Sequence, residues 1–237
     1  MAWTLVTGGA KRLGAEICRT LAALNYDLVI HYNTSNKEAV SLRQECQQQG
    51  VRAEIIQGDF STEESTTRFC NEYLERFTLT RNLVNNVGNF LIKPALETSV
   101  LEWNAMFQNN LHVPFMLTKA LAPKIKSLHG CIINVGVAGL ETIRADTYST
   151  AYSSAKLGLW MLTKSLAKEL GPDLVRVNMV SPGYLETAVD LPSDVSKLPM
   201  GRPGKLTEVA DLIAFLLEPT GAYITGQNIE VAGAIRL

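Results

Sequence analysis

The chain is 237 residues long, 46% apolar and 19% charged, a length and balance that suit one α/β domain with a full-sized core. A formal net charge of −1 removes any bulk electrostatic case for nucleic acid or an anionic membrane surface, and no apolar stretch nears the ~18–20 residues that span a bilayer. Four scattered cysteines (Cys18, Cys46, Cys70, Cys131) form no C-x-x-C pair, so neither a metal site nor a disulfide framework is expected, and reduced thiols in a cytoplasmic protein are.

Trp3 to Val6 reads as a buried strand. It carries no targeting signal, because glycines follow at once and the basic pair comes after the apolar run. Thr7-Gly8-Gly9-Ala10-Lys11-Arg12-Leu13-Gly14 then opens an amphipathic run to Leu24. A strand, a glycine-bearing turn and a helix together offer backbone N–H groups and a positive helix end to a phosphate. Gly8 permits a sharp turn and Gly14 a close approach of helix to sheet. The pattern is not G-x-G-x-x-G, and an ordinary glycine turn is the open alternative.

Asp27 to Tyr32 is a second strand, Asn36 to Gln49 a helix stopped by Gly50, and Val51 to Gln57 a third strand leading into Gly58-Asp59-Phe60. Thr62 to Phe77 is helical, opened by Ser61 as N-cap with Glu64 three residues on. Asn82-Leu83-Val84 leads into Asn85-Asn86-Val87-Gly88. Val100 to Lys126 has one long helical period, with a kink predicted at Pro114. Cys131 to Val135 is a buried strand, Ala151 to Leu170 a strong helix closed by Gly171-Pro172, and Leu174 to Val180 a strand followed by Ser181-Pro182-Gly183. Glu208 to Leu217 is a helix and Gln227 to Val231 the last strand. Between them, Glu186 to Gly204 is rich in Pro, Ser and Asp and reads as a flexible loop over a binding site. Strands alternating with helices throughout predict one α/β domain, a mainly parallel sheet with helices on both faces.

Tyr152 and Lys156 stand four residues apart in the predicted helix from Ala151, hence on one face, about a turn from each other. A free phenol titrates near pH ~10, and a cation beside it favours the phenolate. The pair can therefore exchange a proton with a carbonyl or alcohol oxygen. A solvated lysine beside a half-buried ring is the plain alternative.

Taken together, Thr7-Gly8…Gly14, Asp59, Asn85-Asn86-Val87-Gly88, Asn110, Tyr152-x-x-x-Lys156 and Pro182-Gly183, in this order and over essentially the whole chain, resemble the short-chain dehydrogenase/reductase family. The resemblance implies a Rossmann-like, doubly wound parallel sheet over residues 1–237, with a dinucleotide across the carboxyl ends of the strands. It implies Tyr152 as general acid in reduction, and Lys156 as the group that lowers its pKa and holds the nicotinamide ribose. Asn110 becomes the anchor of a proton-relaying water. Gly8, Arg12, Leu13 and Gly14 join the cofactor-binding set at the first turn. Asp59 and the backbone near Phe60 fall at the adenine, Asn86 and Gly88 near the ribose, and Pro182, Gly183 and Leu185 around the nicotinamide. For Asp59 a helix-starting acid, for Asn110 a solvated polar residue, and for Arg12 a solvated cation are the plain alternatives.

Three departures stand out. The serine that the family places after the fifth strand is missing from Asn134-Val135-Gly136-Val137-Ala138, and Asp146, Thr147 or Ser149 could fold back to replace it. Arg12 stands where most members have glycine, within an Ala-Lys-Arg-Leu-Gly turn similar to that of pteridine reductases. Val231-Ala232-Gly233-Ala234 stands where Asp-Gly-Gly is usual. At the end of the second strand no acid repels a 2′-phosphate, and Asn33, Thr34 and Ser35 can donate to one, so NADPH is expected over NADH. No metal is expected. The substrate implied is a small molecule or acyl thioester: a 3-oxoacyl thioester-like carbonyl compound, alternatively a dihydropterin. A catalytically weak NADPH-binding module or structural subunit is the reading from another class. In the family resembled, helices at the positions of those from Leu101 and Ala151 pair between subunits, so the resemblance implies a homodimer or homotetramer, with core packing of Trp103, Met106, Leu159, Trp160 and Leu162 as the plain alternative; no nucleic-acid or membrane partner is expected.

Overall fold

Every residue of β2 (Asp27–Tyr32) and β5 (Cys131–Val135) is buried, the mark of strands covered on both faces. In the computed structural model, which describes residues 2–235, they belong to a sheet completed by β1 (Trp3–Val6), β3 (Ala53–Gln57), β4 (Thr80–Asn85), β6 (Arg176–Pro182) and β7 (Asn228–Val231). The order is β3-β2-β1-β4-β5-β6-β7 and every pairing is parallel. This is a Rossmann-like α/β sheet. Its order reverses between β1 and β4, the switch point outside which ligands bind in such folds.

Helices cover both faces. Ile17 and Leu21 of α1 (Arg12–Ala23), Leu42 of α2 (Asn36–Gln48) and Ile213 of α7 (Leu206–Leu217) share one buried cluster with β-strand side chains. Phe69 and Tyr73 of α3 (Glu63–Arg76), Leu117 and Ile125 of α5 (Val113–Ser127) and Leu170 of α6 (Thr150–Leu170) form the other.

Two expectations are corrected. The cap of α3 is Thr62, not Ser61: the Thr62 hydroxyl accepts from Ser65 N–H at 3.1 Å while Ser65 Oγ accepts from Thr62 N–H at 3.3 Å. Ser65 thus does what Glu64 was expected to do, one residue further on. The run from Val100 is also not one kinked helix. It is α4 (Val100–Phe107) and α5 joined through a π turn at Gln108–His112, with Pro114 inside the first turn of α5. Pro114 has no N–H to give the carbonyl of Asn110 four residues back, and the ladder widens there rather than bending at the proline.

The segment from 186 to 204 is tied at its base, where Glu186 N–H donates to Gly204 at 3.0 Å and Gly204 N–H to Tyr184 at 2.8 Å. It carries a short 3-10 turn at Val195–Lys197. After β7, Gly233 and Ala234 both take left-handed backbone, φ +57 and +64. Ala234 thus occupies a conformation that glycine adopts without strain.

Candidate active site

The turn after β1 is held from two sides. Gly8 lies at φ +60, and a Cβ on Gly14 would overlap the Gly8 carbonyl oxygen, so α1 starts as close to the turn as glycine allows. Asn86, just past β4, donates its side-chain amide to the carbonyls of Thr7 (2.9 Å) and Gly8 (3.2 Å). Thr7 Oγ1 accepts in return from the N–H groups of Asn86 and Val87. On the other side His31, fully buried, accepts from Gly8 N–H at 3.0 Å and pairs with the Gly58 carbonyl at 3.1 Å, its ring stacked on Phe60. The Gly8 N–H requires a bare Nδ1, which leaves the proton on Nε2 for Gly58. Burial pushes the imidazole down to about 4, so it is neutral at pH 7. α1 begins with no side-chain cap at Lys11 and no acid in its first turn, leaving its N-terminal N–H groups and positive end open. Arg12 stands there at φ +49, the left-handed region that favours the glycine expected at this position.

Lys156 projects from the first half of α6 and is 4% exposed. Its Nζ donates to the Val135 carbonyl at 2.7 Å and lies 5.7 Å from the centre of the Tyr152 ring. Burial pulls the ammonium down to about 8, still largely a cation at neutral pH. Phe90 packs edge-on against Tyr152 at 4.9 Å. Asn110 is buried in the π turn, its amide donating to the carbonyls of Asn89 and Met106, both at 3.0 Å. Asn110 Oδ1 is buried with no hydrogen-bond partner. A Cβ on Gly88 would lie 2.6 Å from that oxygen and 3.4 Å from Lys156 Nζ. The absent side chain of Gly88 therefore leaves one small space that both groups reach.

Arg12, Leu13, Asn86, Gly88, Tyr152 and Lys156 line one pocket, whose far wall is Pro182, Gly183 and Leu185. Gly8 and Gly14 lie behind it in the turn, and Asn110 beneath Gly88. The residues expected at the adenosine end lie elsewhere: Asn33 and Asp59 line a separate recess at the ends of β2 and β3. Thr34 and Ser35 form the link to α2, and Phe60 is buried under His31. The Asp59 carboxylate accepts from the hydroxyl (2.6 Å) and N–H (3.0 Å) of Ser61, and these bonds hold it below the usual carboxylate range.

The fifth-strand serine has no room at 136. A Cβ on Gly136 would overlap Ser181 Oγ and press on the Met179 side chain, and Ser181 is engaged with Asn228 Oδ1 at 2.6 Å. Of the three residues expected to fold back, only Ser149 lines the pocket with Tyr152; Asp146 and Thr147 face a neighbouring recess. Asp146 accepts from the N–H groups of Tyr148 (2.8 Å) and Ser149 (2.9 Å), from Ser149 Oγ (2.9 Å) and from Ser153 Oγ. Burial would raise this carboxylate, but the bonds from Ser153 and its neighbours pull it down to about 2.

The structure adds residues that sequence reasoning passed over. Asn89, Phe90, Ser153 and Thr187 line the pocket, and His31 clamps its back wall. His31 had a readable signal, a lone polar residue inside an apolar strand that ends opposite a glycine turn. Phe90 and Thr187 sit in loops with no periodicity to place them.

Comparison with known proteins follows the same outline. A family model described as enoyl-(acyl carrier protein) reductase matches residues 8–234. The 3-oxoacyl-(acyl-carrier-protein) reductase FabG of Aquifex aeolicus is 33% identical over 98% of this chain and 96% of its own length. Among solved structures, a blue fluorescent protein from a metagenomic library, in complex with NADPH, has a TM-score of 0.92 at 30% identity, covering 100% of this chain and 98% of that one. A mutant short-chain dehydrogenase/reductase from Serratia marcescens has a TM-score of 0.91 at 26% identity, over 100% and 98% of the two chains.

Proposed function

The chain belongs to the short-chain dehydrogenase/reductase family and is an oxidoreductase of that type, and from that premise we propose that it is a cytoplasmic NADPH-dependent reductase of a carbonyl or C=N substrate, with Tyr152 as the general acid. One observation carries the reading: Tyr152 and Lys156, on one face of α6, meet Gly88, Asn86 and the Pro182-Gly183 wall in a single pocket at the switch point of the sheet.

The residues fit a dinucleotide. The uncapped start of α1 offers N–H groups to a pyrophosphate, and the Gly14 contact leaves no room for a side chain that would block them. Arg12 adds a charge at the pocket wall. Asn33, Thr34 and Ser35 at the end of β2 would receive a 2′-phosphate, with no carboxylate in that stretch to repel it, which favours NADPH. Asp59 and Phe60 would border the adenine, and Leu13, Pro182, Gly183 and Leu185 the remaining walls. When bound, the cofactor supplies a hydride to the electrophilic carbon. Tyr152 gives its phenolic proton to the oxygen or nitrogen that receives the electron pair of the reduced bond. The Lys156 cation stabilises the phenolate left behind. A water held between the orphan Asn110 Oδ1 and Lys156 Nζ at Gly88 would connect the phenolate's reprotonation to solvent.

The first substrate class is a 3-oxoacyl thioester. The second is a dihydropterin, supported by Arg12 at the pocket wall. NADPH consumption with an acetoacetyl thioester and a dihydropterin side by side, in wild type and Tyr152→Phe, tests the reading. Turnover of either that falls ~10²–10⁴-fold in the variant supports it. Silence with both, while NADPH still binds by fluorescence, replaces it with a cofactor-binding module. We also place the protein in a homodimer or homotetramer, on the apolar side chains that α4, α5 and α6 leave exposed.

A further inference from the structure

Building on Tyr152 as proton donor to the reduced bond, we propose that the pocket selects substrates with a hydrogen-bond donor, O–H or N–H, on the atom next to that bond, and that Ser149 and Ser153, held by Asp146, read it. In most of the family a serine hydroxyl donates a hydrogen bond to the reacting oxygen. Here Val137 and the crowded Gly136 cannot. The hydroxyls that line the pocket at the start of α6 are Ser149, buried, and Ser153, partly buried. Each has one proton and two lone pairs. Each spends that proton on Asp146 Oδ2, Ser149 at 2.9 Å and Ser153 beside it.

The carboxylate has no reason to release them. Its other oxygen takes the N–H groups of Tyr148 and Ser149, so it accepts four donors in all. Turning a serine hydrogen into the pocket would break a charge-assisted bond, roughly twice as strong as a neutral one. What the two serines offer a ligand is therefore lone pairs. Tyr152 presents a donor, and the serines beside it present acceptors. A substrate matching both has an acceptor at the reduced bond and a donor one atom along. An α-hydroxy ketone has this pattern, as does a C=N bond in a ring carrying N–H groups. A 3-oxoacyl thioester has only C–H beside its ketone, so the serines favour the second substrate class over the first.

The experiment compares NADPH oxidation with 3-hydroxybutan-2-one and 3-fluorobutan-2-one, fluorine matching the hydroxyl in size and electron withdrawal while donating nothing. Wild type should show kcat/KM at least about tenfold higher for the hydroxy ketone, carried mainly in KM. Ser153→Ala should bring the ratio towards one. Asp146→Asn should lower or reverse it, because the amide N–H donates to a serine and frees that hydroxyl's proton for the pocket. Ser149→Ala gives an independent check should Asp146→Asn fail to fold. Equal turnover of the two ketones by wild type, or a ratio unchanged in Ser153→Ala and Ser149→Ala, overturns the inference and leaves the reductase reading standing. Turnover of neither ketone counts against carbonyl reduction itself and takes the inference with it.

Discussion

His31 shows how one side chain couples three loops. Its ring joins the turn after β1 to the ends of β2 and β3, through Gly8 N–H on one nitrogen and the Gly58 carbonyl on the other. That arrangement needs the neutral ring, and protonating Nδ1 would set two donors against each other. The folded ring resists protonation down to about 4, against 6.5 for an unperturbed imidazole. Between those values the unfolded chain binds the extra proton. His31 therefore contributes stability that is complete above pH ~6.5 and is lost as pH falls towards ~4, about 3 kcal/mol in all. Urea midpoints at pH 7 and 4.5 should converge far more in His31→Gln than in wild type. An unchanged acid limb would show that the clamp does not govern it. Spacing singled out Tyr152, Lys156 and Asn110, and the structure brings the first two into one pocket with Asn110 beneath Gly88. The geometry around them was not legible: nothing in the sequence says that Asp146 consumes the hydroxyl protons of Ser149 and Ser153.

At the level of elements, what was legible followed from periodicity, and what was missed followed from hydrogen bonds that periodicity does not carry. β2 falls on the expected residues because its run is apolar and punctuated at both ends. The α3 cap moved by one residue because Ser61 is drawn back to Asp59, leaving Thr62 and Ser65 to close the box. The π turn at Gln108–His112 keeps a helical pattern in sequence, yet it is the element that buries Asn110 beneath Gly88. The turn-to-α1 junction was readable as a close approach, and the structure gives that approach a magnitude. A methyl at position 14 meets the Gly8 backbone oxygen, which cannot swing aside, and the Asn86 side-chain amide, which is pinned to the Thr7 and Gly8 carbonyls. Gly14→Ala should lower stability by roughly 3 kcal/mol, at the upper end of overpacking costs, and weaken NADPH binding with it. Denaturant midpoints and a fluorescence titration measure both. A variant with wild-type stability would mean that α1 can slide along the sheet without disturbing the turn.

For the whole molecule, the alternation of elements foretold a parallel sheet covered on both faces, whereas the strand order comes from the structure, and assembly is where the argument reaches furthest beyond one chain. Core packing accounts for Met106 and Leu159, both buried within the chain. It does not account for Leu101 on α4, Phe115 on α5 and Met161 on α6, which are 80%, 45% and 66% exposed. Lys119 beside Phe115 and Lys164 over Trp160 border this apolar surface with charge, the usual make-up of an interface rim. A second copy presenting the same face would bury these groups against one another, an isologous contact that closes after two subunits. Sedimentation velocity should give a dimer or tetramer for the wild type at micromolar concentration. The double substitution Leu101→Glu with Met161→Glu should halve the assembled mass, a dimer going to monomer or a tetramer to dimer, since each carboxylate would lose its hydration inside the contact. Asn110 lies in the turn that follows α4 directly and Tyr152 stands on α6, so the dissociated variant should also lose turnover, read in the NADPH assay. A wild type that stays monomeric as concentration rises would remove the assembly and leave those three side chains as ordinary exposed apolar surface.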